Sequence, residues 1–266
     1  MALQVKAKIV YNKIIGEHYF CCALEAAGMA VDVCPGQFVN IKITGTDAPL
    51  LRRPFSIHRV RGAHIEILYE VVGKGSQLLS EKKPGEYLDI IGPLGNGFDY
   101  ASCVPRHSSL VLVAGGMGVA PLIFLAEKLR EIPNPKFQIP TLVLIGAKTK
   151  KGILCEKEFK KLGCEVKIAT NDGSRGFKGK VTGLLEGILR TTQDAGRRTL
   201  YACGPKPMLK EINRLSRKFN LTAQVSLEAH MACGIGACLG CVVDTKDGYK
   251  RVCKEGPVFN ADEIIW

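Results

Sequence analysis

Four cysteines near the C-terminus have a spacing that could hold iron or zinc. Cys233, Cys238 and Cys241 lie in the stretch EAHMACGIGACLGCVV, and Cys253 follows in RVCKEG. The pattern Cys-x4-Cys-x2-Cys with a further cysteine downstream is typical of plant-type [2Fe–2S] sites, although the fourth cysteine comes sooner here than in plant ferredoxins. We predict a [2Fe–2S] cluster. Structural zinc stays open as the alternative, but zinc sites usually show two close cysteine pairs and this stretch has only one Cys-x2-Cys.

Two glycine-containing turns follow apolar stretches and could bind a phosphate or a dinucleotide. AGGMGVAP carries Gly116 and Gly118 between a predicted strand and a predicted helix, and YACGPKPML places Cys203 at the end of another strand. Glycines let a ligand approach the backbone closely, and the N-terminus of a helix attracts anions. The first turn lacks the complete dinucleotide fingerprint, because Pro121 stands where a third glycine would be expected. A glycine turn needed only for packing is the alternative.

The N-terminal part of the chain contains two weaker motifs of the same kind. RRPFSIHRV places Arg53 and Ser56 on a predicted strand, and LYEVVGKGSQLLSEKK places Gly75 and Ser76 before a short helical run. Arginine side chains and the backbone N–H groups of a helix start both bind anions. Neither motif is specific alone, so their meaning depends on their order along the chain.

Length and composition indicate a folded protein of two or three domains. The chain has 266 residues, of which 46% are hydrophobic and 23% are charged, so packed cores are expected. The net charge of +12 is spread thinly along the chain. Because the aromatic interleaving of a single-strand binder is missing, we predict no nucleic-acid partner.

The N-terminal stretch and the cysteines of the sequence also indicate the cellular compartment of the protein. The start, MALQVKAKIVYNKII, lacks the apolar run of a signal peptide, and the one long uncharged stretch, 110–126, is short and interrupted by glycines and a proline. The eleven cysteines are odd in number and mostly scattered. These features predict a soluble cytoplasmic protein with no membrane partner, in which thiols are core residues or metal ligands and disulfides are disfavoured.

The elements that must position these motifs divide the chain into three predicted segments. Residues 1–102 contain short alternating runs broken by glycine and proline (LQVKAKIV, GQFVNIKI, FSIHRV, HIEILYEV, EYLDIIG), which predicts an antiparallel barrel or sandwich. In 103–223 apolar strands alternate with helical patterns, one of which has Pro121 at its first position, and this predicts a parallel α/β sheet with helices on both faces. Residues 224–266 hold the cysteines and no long helical pattern, so we expect a small domain organised by its metal.

In combination and in order, the motifs RPFS, GKGS, GPLGNGF, GGMGVAP and CGPKPM make residues 1–220 resemble the ferredoxin-reductase-like flavoproteins. The resemblance implies a six-stranded antiparallel barrel that binds FAD, followed by an α/β domain that binds NAD(P). It also implies that the RPFS arginine contacts the flavin phosphate, that its serine lies near the flavin ring and that the CGP cysteine lies near the nicotinamide. The implied FAD residues are Arg53, Pro54, Phe55, Ser56, Leu68, Tyr69, Glu70, Gly75 and Ser76, and the implied NAD residues are Gly116, Gly118, Pro121, Cys203, Gly204 and Pro205.

The nucleotide is predicted to be NAD rather than NADP. Asp172 follows the predicted strand EVKIAT, where it could accept hydrogen bonds from the adenosine ribose and repel a 2′-phosphate. Arg175 and Lys148 argue the other way, since either could bind that phosphate.

With the cysteine motif at its end, the whole chain resembles the family of electron-transfer subunits of the NAD-linked, B-type dihydroorotate dehydrogenases. The resemblance implies a separate FMN-containing catalytic subunit, which oxidises dihydroorotate to orotate in pyrimidine synthesis, and assembly as a dimer of heterodimers. The implied order of electron flow is FMN, [2Fe–2S] cluster, FAD and NAD+. This order requires the cysteine-rich segment to lie between the flavin of the barrel and the partner, and it leaves no catalytic residue for dihydroorotate in this chain.

Two other functions remain open. One is the flavin and iron–sulfur subunit of a related NAD(P)H:ferredoxin oxidoreductase or sulfide dehydrogenase. The other, from a different class, is a non-enzymatic binding module stabilised by zinc. His230, beside the cysteines, is expected to be exposed, with a place next to the cluster ligands as the alternative.

Overall fold

Six N-terminal strands close into a barrel in a computed structural model, which describes residues 2–44, 49–101, 109–132, 140–191 and 198–266. The elements of this part are β1 (Leu3–Ile14), β2 (Tyr19–Glu25), α1 (Ala27–Ala30), β3 (Phe38–Lys42), β4 (Arg53–Arg61), β5 (His64–Glu70), α2 (Lys74–Ser80) and β6 (Tyr87–Leu94). The strands pair antiparallel in the order β1-β2-β5-β4-β3-β6. The prediction of a six-stranded antiparallel barrel is therefore confirmed.

The strand that the sequence pattern did not reveal is β2. Its run YFCCALE shows no alternation of apolar and polar residues, because both of its faces are covered. Cys22 and Leu24 point into the barrel core, whereas Tyr19 and Cys21 pack against the core of the following α/β part. A strand buried on both sides reads as a continuous apolar run.

The second part is a parallel sheet with helices on both faces, as predicted. Its elements are β7 (Ser109–Gly115), α3 (Val119–Glu131), β8 (Thr141–Ala147), α4 (Glu156–Lys161), β9 (Glu165–Thr170), β10 (Phe177–Lys178), α5 (Val181–Thr191), β11 (Arg198–Cys203), α6 (Lys206–Lys218) and β12 (Thr222–Ser226). Successive residues of β7 face opposite sides. Leu110 and Leu112 pack with residues of α3 and α4, and Val111 and Val113 pack with residues of α5 and α6.

The uncharged stretch 110–126 forms a strand, a turn and a helix, as expected. A 3₁₀ turn at Gly116–Gly118 joins β7 to α3. Because α3 begins at Val119, Pro121 is its third residue and the predicted first position is wrong. The proline is still tolerated, since the first four N–H groups of a helix have no partner within the helix. Among the described residues, no helix is both long and apolar enough to cross a membrane.

The C-terminal residues form β13 (Val242–Thr245), β14 (Gly248–Arg251) and β15 (Val258–Asn260). The first two pair as a hairpin, whereas β15 adds an antiparallel edge to the large sheet, whose order is β10-β9-β8-β7-β11-β12-β15. The predicted segment boundary at 223/224 falls within β12, and the boundary at 102/103 lies outside the described residues. The C-terminal segment is thus attached to the sheet through its backbone.

Candidate functional site

The RPFS and GKGS motifs meet at one end of the barrel. Arg53 begins β4, and its side chain lies over Gly75, where an added Cβ would come within 2.9 Å of the arginine Nε. The guanidinium also donates to the carbonyl of Leu51 at 2.7 Å. The glycine at position 75 therefore gives the arginine room to lie against the start of α2. This places a cation beside the backbone N–H groups of a helix start, which is an arrangement that suits a phosphate.

The Ser76 hydroxyl is used within the turn that leads into α2. Its Oγ accepts hydrogen bonds from the N–H groups of Val72, at 2.9 Å, and Gly73, at 3.2 Å, and donates to the carbonyl of Gly73 at 3.0 Å. Ser76 is also buried. The geometry gives this serine a role in shaping the loop, and its predicted contact with FAD stays a prediction.

The aromatic residues of the predicted flavin site, Phe55 and Tyr69, form a cluster with Phe20, in which Tyr69 stacks on Phe20 and meets Phe55 edge to face. The Tyr69 ring lies 5.5 Å from that of Phe20 and 5.7 Å from that of Phe55. Burial raises the pKa of Tyr69, whose hydroxyl donates to Asn12 at 2.9 Å. Leu68 is buried too, against the α/β part, whereas Glu70 keeps partial exposure. Tyr69 therefore supports the barrel from within and Leu68 packs on its outer side against the α/β part, and a bound flavin would meet the more accessible Phe55, Ser56 and Glu70.

The two predicted dinucleotide motifs are in direct contact. A Cβ on Gly118 would lie 3.0 Å from the backbone nitrogen of Gly204 and would overlap the carbonyl of Cys203. Gly204 has φ +156, and a Cβ at that position would lie 3.0 Å from the Cα of Gly115. The turn before α3 and the end of β11 can approach this far only because glycines line both sides. The contact assembles Gly116, Gly118, Cys203, Gly204 and Pro205 at the carboxyl edge of the sheet, where open α/β sheets bind ligands.

Cys203 is a buried, neutral thiol. Burial raises its pKa to about 12, and the side chain of Ser226 is its hydrogen-bond partner. The carboxylate of Glu228 acts in the same direction, and loss of solvent around that carboxyl raises the pKa of Glu228 although part of the residue stays exposed. No sequence pattern predicts that Glu228 lies near Cys203, because a helix and a strand separate Glu228 from β11.

Asp172 lies in the exposed turn after β9. Hydrogen bonds from the hydroxyl of Ser174 (2.7 Å) and from its N–H (3.0 Å) lower the pKa of the aspartate and keep it charged. Arg175, which argued for NADP, is paired with Glu156 at 2.7 Å. The geometry therefore keeps the exposed carboxylate charged and pairs the arginine with Glu156.

The four cysteines form two pairs. The N–H of Cys238 donates to the sulfur of Cys233, and the N–H of Cys253 donates to the sulfur of Cys241, each at 3.4 Å. In the part of the chain that the structure describes, no three His, Cys, Asp or Glu side chains surround a single point as a mononuclear ion would require. A [2Fe–2S] cluster takes four thiolates over two irons, and the two pairs together supply the four thiols that such a cluster needs.

The electrostatics of the two pairs differ. Burial opposes ionisation of Cys233, but hydrogen bonds from the N–H groups of Ile235, Cys238 and Ala237 lower its pKa to about 6. Burial, reinforced by the neighbouring Cys241 thiol, raises the pKa of Cys253 to about 12. The loop therefore favours the thiolate form of Cys233. The thiolate is the form of cysteine that binds metal. His230 is exposed, as expected.

The cysteine loop covers the face of the barrel that carries the RPFS motif. Phe38 and Leu94 of the barrel share a core with Cys241 and Cys253. Phe38 is in turn the register partner of Ser56. One strand pair therefore connects the predicted flavin motif to the predicted cluster ligands.

Family models match two parts of the chain. Residues 228–265 match the iron–sulfur cluster binding domain of dihydroorotate dehydrogenase B, and residues 112–214 match an oxidoreductase NAD-binding domain.

Similar proteins cover nearly the whole chain. It is 40% identical over 268 residues to the dihydroorotate dehydrogenase B (NAD(+)) electron transfer subunit of Desulforamulus reducens, which covers 98% of this chain and 97% of that protein. The corresponding subunit of Geobacillus kaustophilus is 41% identical over 87% of this chain and 86% of its own. Among solved structures, a chain of the NADH-dependent reduced ferredoxin-NADP oxidoreductase is 30% identical with a TM-score of 0.85, over 98% of this chain and 90% of that one. Ferredoxin NADP+ reductase from Neisseria gonorrhoeae, with bound FAD and NADP, shares the fold at 16% identity and a TM-score of 0.69, over 84% of this chain and 99% of that one.

Proposed function

Because this chain belongs to the family of dihydroorotate dehydrogenase B (NAD(+)) electron transfer subunits, we propose that it carries electrons from the FMN of a catalytic subunit to NAD+, by way of a [2Fe–2S] cluster and FAD, in pyrimidine synthesis. The observation that carries this proposal is that Cys241 and Cys253 pack against Phe38 and Leu94, on the barrel face whose strands bear RPFS. A binding module with zinc would need neither the flavin motif nor the glycine contact at the sheet edge.

The residues assigned to each group follow from the motifs and their surroundings. Flavin and cluster supply the redox chemistry, and the protein supplies binding and spacing. Arg53 and the start of α2 would hold the phosphates of FAD, and the glycine contact at Gly118 and Gly204 would receive the dinucleotide. We keep 1–102, 103–223 and 224–266 as the FAD, NAD and cluster segments. The proposed cluster ligands are Cys233, Cys238, Cys241 and Cys253.

The nucleotide is NAD in this proposal. A charged Asp172 would repel a 2′-phosphate, and Arg175 is already paired with Glu156. Steady-state kinetics with NADH and NADPH test this choice. A higher kcat/KM for NADPH would contradict it.

The partner is an FMN-containing catalytic subunit, and the assembly a dimer of heterodimers. The exposed rim of the cysteine loop supports this partner, because Ile235 and Leu239 are 53% and 61% exposed beside the exposed Cys238. Apolar side chains at such a rim suit a protein interface. A cytoplasmic location is part of the proposal, and its support is that the ten cysteines described are all free thiols.

A second function has one observation in its favour. The resemblance to the NADH-dependent reduced ferredoxin-NADP oxidoreductase spans 98% of the chain at 30% identity. A chain with that function would exchange electrons with ferredoxin and would need no dihydroorotate-oxidising partner.

The test uses the purified full chain, alone and with a catalytic subunit. Alone, it should absorb visible light as a flavin and an iron–sulfur protein and oxidise NADH with artificial dyes, yet leave dihydroorotate unchanged. With the catalytic subunit added, dihydroorotate should reduce NAD+. Oxidation of dihydroorotate by the chain alone would contradict the proposal, and reduction of ferredoxin in place of coupling to the catalytic subunit would favour the second function.

A further inference from the structure

The barrel face beneath the cysteine loop contains a polar side chain that no motif predicted. Asn40 lies in the middle of β3 and is 0% exposed. Its neighbours Val39 and Ile41 belong to the barrel core. Since successive residues of a strand face opposite sides, Asn40 points away from that core, toward the C-terminal segment.

The two polar atoms of the Asn40 amide are in different situations. Nδ2 donates to the backbone carbonyl of Cys233 at 3.2 Å. Oδ1 is buried, and no donor among the described residues reaches it. Buried polar atoms in folded proteins nearly always have a partner. The unpaired oxygen therefore indicates a donor that comes from outside the polypeptide.

The loop is closely fitted to this asparagine. Gly234 has φ +72, and a Cβ at that position would overlap the Nδ2 of Asn40. The residue after the first cysteine must therefore be glycine for two reasons, its backbone conformation and its contact with Asn40. The amide nitrogen thus holds the backbone at Cys233 in one place.

The chemistry of the two expected groups identifies the donor. A [2Fe–2S] cluster presents sulfur atoms, which accept hydrogen bonds, whereas FAD carries ring N–H and ribityl O–H donors. Asn40 is in register with Pro54, and Phe38 is in register with Ser56. Paired residues of antiparallel strands point to the same side, so the unpaired oxygen lies on the strand face that carries part of RPFS.

We propose that Asn40 is a positioning residue that links the two sites: its amide nitrogen fixes the cysteine loop at Cys233, and its amide oxygen accepts a hydrogen bond from bound FAD. The inference rests on the proposed function, because it requires both groups in the same chain. One side chain then sets the position of the flavin relative to the first cluster ligand. Such positioning is the main contribution of a protein to the chemistry of its cofactors.

Asn40→Leu tests both contacts of the proposal, that of the amide nitrogen with Cys233 and that of the amide oxygen with FAD. Leucine has a similar volume and lacks both hydrogen-bonding atoms. Loss of one hydrogen bond to FAD should raise the dissociation constant for FAD about tenfold. Release of the Cys233 carbonyl should shift the g-values in the electron paramagnetic resonance spectrum of the dithionite-reduced chain. Neither measurement depends on turnover.

Asn96→Leu is the matched control. The Asn96 side chain also donates from the barrel to the C-terminal segment, at 3.0 Å, but it is exposed and its acceptor is the carbonyl of Glu255. This variant should keep the FAD affinity and the spectrum of the parent. If the leucine variant at position 40 does not fold, Asn40→Ser is measured in the same way, since its short hydroxyl cannot reach both partners.

A shift in both measurements for the variant at position 40, with the control unchanged, supports the link. If either the dissociation constant for FAD or the g-values of the position 40 variant equal those of the parent, the proposal is wrong, because it requires the amide to contact both the cysteine loop and FAD. An absorption spectrum of the parent chain that lacks flavin or cluster would instead refute the proposed function, and this outcome is distinguishable before any variant is made.

Discussion

Cys238 is the exposed member of the four proposed ligands, whereas Cys241 and Cys253 are buried. Cys238→Ala removes one thiol of the outer pair without opening a cavity. We expect it to abolish transfer from dihydroorotate to NAD+ in the complex with the catalytic subunit and to leave NADH oxidation by dyes largely intact, because the FAD and NAD residues lie elsewhere. Cys34→Ala, at another exposed cysteine, should retain both activities. Equal survival of both activities in the Cys238 variant would mean that the cluster is not on the route.

His58 gives a second prediction for a single residue. It is 3% exposed, and its Nδ1 donates to the carbonyl of Ala120 at 3.0 Å. Burial lowers its pKa to about 3, whereas a histidine in an unfolded chain has a pKa of about 6.5. Between these values the unfolded state binds the additional proton. The free energy of unfolding must therefore decrease as the pH falls through this range, by up to about 1.4 kcal/mol per pH unit from this residue.

His58→Gln should show a shallower loss of stability on acidification than the parent, measured by urea unfolding between about pH 7 and 5. His18→Gln, at an exposed histidine, should retain the parental slope. Identical slopes for the parent and the His58 variant would show that this residue is not buried in its neutral form.

At the scale of elements, the contact between β4 and α3 joins the proposed flavin site to the proposed dinucleotide site. β4 begins with RPFS, and α3 begins after the glycine turn. Farther along both elements, Glu127 contacts Arg59 at 2.9 Å and Arg61 at 2.5 Å. The Arg59 and Glu127 side chains are 15% and 12% exposed, so this ion pair is better shielded than a surface pair. The contact fixes the strand of one motif against the helix of the other.

Glu127→Gln should therefore slow the reduction of FAD by NADH, measured by stopped-flow absorbance, and lower the free energy of unfolding by about 1–3 kcal/mol. Glu131→Gln is the matched control on the same helix, because Glu131 is 62% exposed and pairs only with the nearby Lys128 among the described residues. A surface pair of this kind contributes little. If the two variants have the same rate of FAD reduction and the same free energy of unfolding, the contact of Glu127 with Arg59 does not orient the flavin site relative to the dinucleotide site.

The same elements explain what could be predicted from the sequence. Strands β7, β8, β9 and β11 of the sheet were predictable because their apolar runs are bounded by glycine and polar residues, and β6 because its buried and exposed residues alternate. Strand β2 was not predictable, because contacts on both of its faces remove the alternation of apolar and polar residues. The cysteines were recognisable from spacing alone. Asn40 was not, because a lone asparagine in the run GQFVNIKI has no pattern until Cys233 is placed opposite it.

At the scale of the whole molecule, the C-terminal segment joins the other two parts. β15 pairs with β12 of the sheet, and Asn40 of the barrel donates to the carbonyl of Cys233. Phe38 and Leu94 bury their side chains against Cys241 and Cys253. The segment is therefore held from the barrel and from the sheet together, while Ile235 and Leu239 stay exposed at the rim of the cysteine loop.

That rim gives the last prediction. If the catalytic subunit covers it, a charge at Ile235 must lose solvent when the complex forms, which is costly for an unpaired carboxylate. Ile235→Asp should raise the dissociation constant of the complex on the order of 10- to 100-fold. Sedimentation of mixtures with the catalytic subunit measures this change. The variant chain alone should still oxidise NADH with dyes at the parental rate. Val31→Asp is the control, because Val31 is an 80% exposed apolar residue after α1 and outside the cysteine loop. Equal affinities for the two variants would mean that the partner binds elsewhere, and the exposed rim would then need another explanation.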